Sequence, residues 1–238
     1  MQPSRIVGIL GGMGPAATVD FYDKLVRATP ARTDQDHLRV VMWADPTVPD
    51  RLAAVRGTGT DPSPWLEQGV RRLQEAGAEL IVAPCNTVHA FLPEVVARTG
   101  VEFLSIIDTA VAAAVAADPA SKVGLVAADG AVESELYQRA LLAAGREAVL
   151  PSPSEQNELM RIIHAVKSGE HGQSERDALS VIFAALAAHG AGSVIVGCTE
   201  LSVVVDDVRT DLRVVDAAEE LARLTVARAA LPGTARPE

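Results

Sequence analysis

Only two of the 238 residues are cysteines, Cys85 and Cys198, and each has the same kind of neighbours. Cys85 ends the apolar run ELIVAP and precedes Asn86 and Thr87, a helix-capping pair; Cys198 ends SVIVG and precedes Thr199 and Glu200. Both thiols are therefore expected at the carboxyl end of a strand and close to a helix amino terminus, where a thiolate is stabilised. A lone unpaired cysteine is more often a small buried residue than a reactive one. Two at matching positions are different, and three chemistries could use them. A disulfide switch would have to manage without a C-x-x-C motif and would be unusual in the reducing cytoplasm. A cysteine–histidine nucleophile would draw on His89, four residues after Cys85, although that spacing equally suits a packing or capping histidine one helical turn deeper. Two-base proton transfer would set a thiolate on one face of a carbon and a thiol on the other. Free thiols titrate near ~8.5, so small shifts would leave one ionised and one protonated.

The elements that must position the two thiols repeat along the chain. Val7-Gly8-Ile9-Leu10 matches Val123-Gly124-Leu125-Val126, GAELIVAPCNTV matches GAGSVIVGCTEL, and SIIDTA matches RVVDAA, in one order and at offsets of 116, 113 and 108. Such a repeat implies two similar halves, and pseudo-twofold symmetry would bring both cysteines to one cleft. Strand-like runs at 5–10, 38–44, 79–84 and 102–107, then 122–127, 147–151, 193–197 and 212–215, alternate with helix-like stretches such as 65–76 and 157–166. That alternation predicts an α/β fold with mostly parallel, doubly wound sheets covered by helices on both faces. The expected units are residues 1–118, residues 119–216, and a last helix within 217–231 packing back on the first half. The break falls at the short polar stretch Asp118-Pro119-Ala120-Ser121, and the tail 232–238 reads as frayed. Residues 45–64, with four prolines and two glycines, form a long connection holding at most one helical turn, at a strand end where α/β proteins bind ligands.

Composition narrows the function. A net charge of −10 with 21 basic residues argues against a nucleic-acid surface, which needs clustered positive charge. The longest apolar run, residues 110–117, is far short of a membrane span, and the first residues already read as a strand rather than a signal peptide. Two cysteines do not make a disulfide scaffold or a four-thiolate zinc site, so a cytoplasmic protein is expected. The loop Gly11-Gly12-Met13-Gly14-Pro15 contains G-x-G, but Ala17 takes the third glycine position and no GK[ST] sequence occurs. It lacks a nucleotide fingerprint yet can offer amides to a small anion such as a carboxylate. His37, His164, His171 and His189 fit no metal spacing and read as surface or packing residues, so no metal is expected.

ILGGMGPAAT, DPTVPDR, APCNTVH, VKSG and GCTEL, in that order and spanning about residues 5–231, resemble the motifs of the cofactor-independent aspartate/glutamate racemases. The PDR and VKSG segments resemble the aspartate racemase branch. The resemblance implies an active site in the cleft between the halves, a homodimer, no cofactor, and a small acidic amino acid as substrate. It implies that Cys85 and Cys198 are the catalytic acid–bases and that Arg51 and Lys167 hold the substrate's carboxylates. Taken alone, Arg51 reads as a solvated loop charge and Lys167 as a helix C-terminal cation. Yet only three of the 21 basic residues are lysines, and an acidic protein that binds a dianion must place positive charge locally. Asn86, Thr87 and Thr199 would serve the α-carboxylate, and Met13 would line the pocket. Glu200 either orients Cys198 or caps a helix. Three residues depart from the family pattern. Ala128 and Ala131 stand where hydroxyl side chains are common, and Asp45 where an asparagine is; an extra carboxylate there would hold an ammonium group or repel a carboxylate. The rival readings are a racemase or isomerase of another small acid, such as glutamate, a non-catalytic amino-acid-binding protein, and a redox protein.

Overall fold

A computed structural model of the chain describes residues 4–117 and 122–230. The expected break at 118–121 and the expected frayed tail lie outside the described residues. Two four-stranded parallel sheets carry the fold. The first, in order β2-β1-β3-β4, is built from β1 (Val7–Gly11), β2 (Val40–Ala44), β3 (Leu80–Val82) and β4 (Glu102–Leu104). The second, in order β6-β5-β7-β8, is built from β5 (Lys122–Ala127), β6 (Ala148–Val149), β7 (Ala191–Gly197) and β8 (Arg213–Asp216). Each strand of the second sheet occupies the place of its counterpart in the first, so β3 and β7, which lead to the two cysteines, are equivalent central strands. Both are run through with buried apolar residues because helices cover both faces.

In the first half the helices are α1 (Pro15–Ala28), α2 (Arg51–Val55), α3 (Ser63–Glu75), α4 (Leu92–Thr99) and α5 (Ile106–Ala117). The second half contains α6 (Asp129–Glu133), α7 (Leu136–Ala143), α8 (Pro153–Ser168), α9 (Gln173–Ala188), α10 (Thr199–Ser202) and α11 (Ala217–Ala229). Several boundaries differ from the sequence expectation for local reasons. The strand expected over 102–107 stops at Leu104, because Ser105 Oγ accepts the Asp108 amide at 3.1 Å and starts α5. The apolar Ile106 and Ile107 therefore bury as a helix. Within 45–64 the single helical turn is α2, capped by Asp50, whose Oδ1 accepts the amides of Leu52 at 2.8 Å and Ala53 at 3.1 Å. The amphipathic stretch 157–166 belongs to the 16-residue α8, which opens on a Ser152/Glu155 capping box with Pro153 in its first turn and closes on Gly169 at φ 78°.

Buried polar contacts tie the halves together. Lys24 on α1, 2% exposed, donates to Asp20 Oδ2 at 2.7 Å and lies 3.6 Å from Asp216 Oδ2 at the end of β8. Asp216 Oδ1 accepts from Ser202 Oγ at 2.6 Å and from the Ala218 amide at 2.9 Å, which joins α1, α10 and α11. α11 packs on α1 and α5. Among the described residues no helix is long and apolar enough to cross a membrane.

Candidate active site

The loops that follow β3 and β7 meet at a cavity of about 140 Å³. Met13, Arg51, Cys85, Asn86, Thr87, Lys167, Cys198, Thr199 and Glu200, the nine site residues expected from the sequence, all line it. A larger surface cavity of about 680 Å³ beside α3 and α4 holds neither thiol, and ion-paired arginines and glutamates dominate its wall.

Both cysteines are buried, Cys85 at 7% and Cys198 at 5% exposure. The expectation that helix amino termini would favour thiolates fails here. The turns after the sulfurs are only four residues long, Thr87–Ala90 and α10, so their dipoles are small against the cost of burying a charge. Burial raises the Cys85 thiol, while Arg51, the Val88 amide and Lys167 pull it back. Burial pushes Cys198 well above the ordinary thiol range, and the Glu200 carboxylate beside it adds to the shift. The two thiols are therefore inequivalent, with Cys85 the easier to ionise.

Glu200 does not cap a helix with its side chain. Its Oε2 accepts the Cys198 thiol proton at 3.1 Å, and Oε1 lies 3.9 Å from Lys167 Nζ with no hydrogen-bond partner. A Cβ on Gly14 would stand 3.1 Å from that Oε1, so the loop glycine leaves room for the carboxylate. Arg51, the first residue of α2, anchors Nη1 on the Val48 and Pro49 carbonyls, both at 3.1 Å. Lys167 reaches the cavity from the last turn of α8, whose Met160, His164 and Lys167, at i, i+4 and i+7, share the cavity-facing side. Leu159, Ile162, Ile163 and Val166 bury a neighbouring side in the core. A second cavity of about 220 Å³ adjoins at the start of α1 and shares Met13, Arg51, Lys167 and Glu200.

Thr199 Oγ1 is committed to the Pro84 carbonyl at 3.2 Å, a bond that crosses from the second half to the first. Asn86 Oδ1 accepts from the Tyr137 hydroxyl at 2.5 Å, while its Nδ2 is buried without a partner. His89 lies in the first half's core. Its Nδ1 bonds the Cys85 carbonyl at 2.9 Å and its Nε2 accepts the Ile106 amide at 3.2 Å, so the ring is a packing residue and no base for the sulfur. Burial lowers its pKa to about 4. Since the folded state resists protonating a ring that titrates near 6.5 when unfolded, stability is complete above about pH 6.5 and is lost as pH falls towards 4. The shift corresponds to about 3 kcal/mol. The thermal midpoint should fall over that window, and His89→Gln, which keeps a donor and an acceptor, should flatten the fall; an unchanged slope would assign it elsewhere.

Three sequence expectations need correction. Asp45 is not at the cavity: its Oδ1 accepts from the Thr47 amide at 2.8 Å and the Thr47 hydroxyl at 2.6 Å, closing a local turn. Ala131 is fully buried in the core rather than facing ligand, whereas Ala128 does line the cavity. His164 lines the cavity as well, and its position one helical turn before Lys167 was the signal for it. Asp50, Asp129 and Met160 also lie in the wall unanticipated, since each reads locally as a cap or an apolar helix residue. Among the described residues no group of three or more His, Cys, Asp or Glu is arranged to hold a metal ion.

The family model for Asp/Glu/hydantoin racemases matches residues 10–225. The broad specificity amino-acid racemase RacX of Bacillus subtilis (strain 168) is 27% identical over 226 residues, covering 93% of this chain and 96% of that protein. Among solved structures, the Picrophilus torridus aspartate racemase is 31% identical with a TM-score of 0.83, covering 94% of each chain. Glutamate racemase isoform RacE1 from Bacillus anthracis has a TM-score of 0.66 at 16% identity, covering 93% of this chain and 80% of that one, a likeness of fold alone.

Proposed function

The chain belongs to the Asp/Glu/hydantoin racemase family, and on that premise we propose that it interconverts L- and D-aspartate without a cofactor, by proton transfer between two thiols. The observation that carries the reading is that both cysteines and both cations, Arg51 and Lys167, line one small cavity. One thiolate removes the Cα proton, and the opposite thiol delivers its own proton to the other face of the planar carbanion. The turnover leaves thiol and thiolate exchanged, which is the state that accepts the opposite enantiomer. Cys85, eased by Arg51 and Lys167, is the readier thiolate, and Glu200 is placed to accept the Cys198 proton when Cys198 must act as base.

The carbanion is the energetic difficulty. Its negative charge develops on the α-carboxylate side, where the Asn86–Thr87 segment supplies donors beside the two buried thiols. Arg51 and Lys167 take the distal carboxylate, a demand that a dicarboxylate meets and alanine does not. The adjoining 220 Å³ cavity shares both cations and has room for one more methylene, so glutamate is the first competitor to test.

The test is incubation with L- or D-aspartate in D₂O, without pyridoxal phosphate, following α-deuterium and chirality. Deuterium should enter Cα as optical activity decays from either enantiomer. No exchange with aspartate, glutamate or other acidic amino acids would sink the reading.

A further inference from the structure

Tyr137 has no role in the chemistry above, yet it touches both thiol-bearing loops. It is fully buried on α7, in the second half, and its hydroxyl crosses to donate to Asn86, the residue after Cys85. Its ring covers Gly197, the residue before Cys198: a Cβ there would stand 2.7 Å from Tyr137 Cε2. The repeat is broken at this point, since the residue before Cys85 is Pro84 and the residue before Cys198 is a glycine. The missing side chain is what seats the ring.

We infer that Tyr137 is a positioning residue for the racemisation: it selects which end of the Asn86 amide serves the substrate and braces the Cys198 loop against the Cys85 loop. The hydrogen-bond count supports this. With Oδ1 on the hydroxyl, a single group is left over, the buried Nδ2, a donor on a residue that lines the cavity. If the amide were turned round, Nδ2 would donate to the phenol oxygen. Asn86 Oδ1 and the Tyr137 proton would then both be left without partners, two buried orphans instead of one. The hydroxyl therefore leaves the amide's donor end unpaired in the cavity wall, and a substrate carboxylate is the acceptor that would complete it. Burial keeps the Tyr137 proton in place by raising its pKa well above the ordinary tyrosine range.

The inference rests on the proposed amino-acid substrate, and a mutant cycle separates the two. Tyr137→Phe keeps the ring on Gly197 and removes only the hydroxyl, freeing the amide to turn. KM for aspartate should rise about tenfold while kcat changes less than about threefold, with the thermal midpoint nearly unmoved. Asn86→Ala removes the amide outright, so adding Tyr137→Phe to it should change KM by less than about twofold. A purely structural tyrosine would instead cost the same in both backgrounds. Additive effects, or a Tyr137→Phe enzyme with the parent's KM, would overturn the assignment. A parent chain that exchanges no α-proton would overturn the proposed reaction itself, before any variant is compared.

Discussion

Cys85→Ser and Cys198→Ser should each lower racemisation by about 10³-fold, the range expected when a positioned acid–base is lost. A serine hydroxyl fills nearly the same space but titrates far above a thiol, so it neither removes the Cα proton nor survives as the conjugate base of a donor. In the proposed mechanism the two sulfurs serve opposite faces of one carbon, so the variants should differ in a second way. Each retains one working thiol, which can remove a proton and return deuterium to the same face. Each should therefore exchange α-hydrogen with a single enantiomer, and the two variants with opposite ones. Nuclear magnetic resonance of separate L- and D-aspartate incubations reads this directly. Full racemisation by either variant would exclude a two-thiol mechanism; exchange of both enantiomers by one variant would show that a single group reaches both faces.

Arg51→Met should reduce kcat/KM for aspartate by about 10²–10³-fold, the loss typical of a charged hydrogen-bonding partner removed from a partly buried site. Two effects combine. In the proposed complex the distal carboxylate loses its guanidinium while the three lining carboxylates, Asp50, Asp129 and Glu200, remain. Arg51 also lowers the Cys85 pKa, so its removal lets burial raise that thiol further. The rising limb of the pH profile should accordingly move to higher pH in Arg51→Met, and Arg51→Lys should restore the limb better than the affinity, since lysine returns the charge without the planar fork. Lys167→Met should weaken binding similarly but shift the limb less, because its influence on Cys85 is smaller. A pH profile unmoved by Arg51→Met would mean that Cys85 is not the group titrating.

Much of this protein is written in short stretches of chain. Cys85 and Cys198 follow equivalent strands because apolar runs such as ELIVAP and SVIVG record burial between two helix layers, and burial leaves its period in the sequence. The capping box of α8 and the glycine after it are equally local, so a helix ending near Lys167 was legible. Other features depart from expectation, each for its own reason. Ile106 and Ile107 are as apolar as a strand, and only the Ser105 cap makes them a helix. Asp45 turns to Thr47 rather than to the cavity, a choice of rotamer that composition does not carry. The thiols are raised rather than lowered because elements remote in sequence exclude water from them, and desolvation outweighs the dipole of a four-residue turn. Residue type and spacing alone determined the paired strands and the paired thiols, while the two cations were legible only through the resemblance of the PDR and VKSG segments to a known family. Tertiary structure decided which thiol ionises first, what Glu200 holds, and that Tyr137 faces Asn86 from the other half, because pKa values and unpaired buried donors depend on neighbours that only folding assembles.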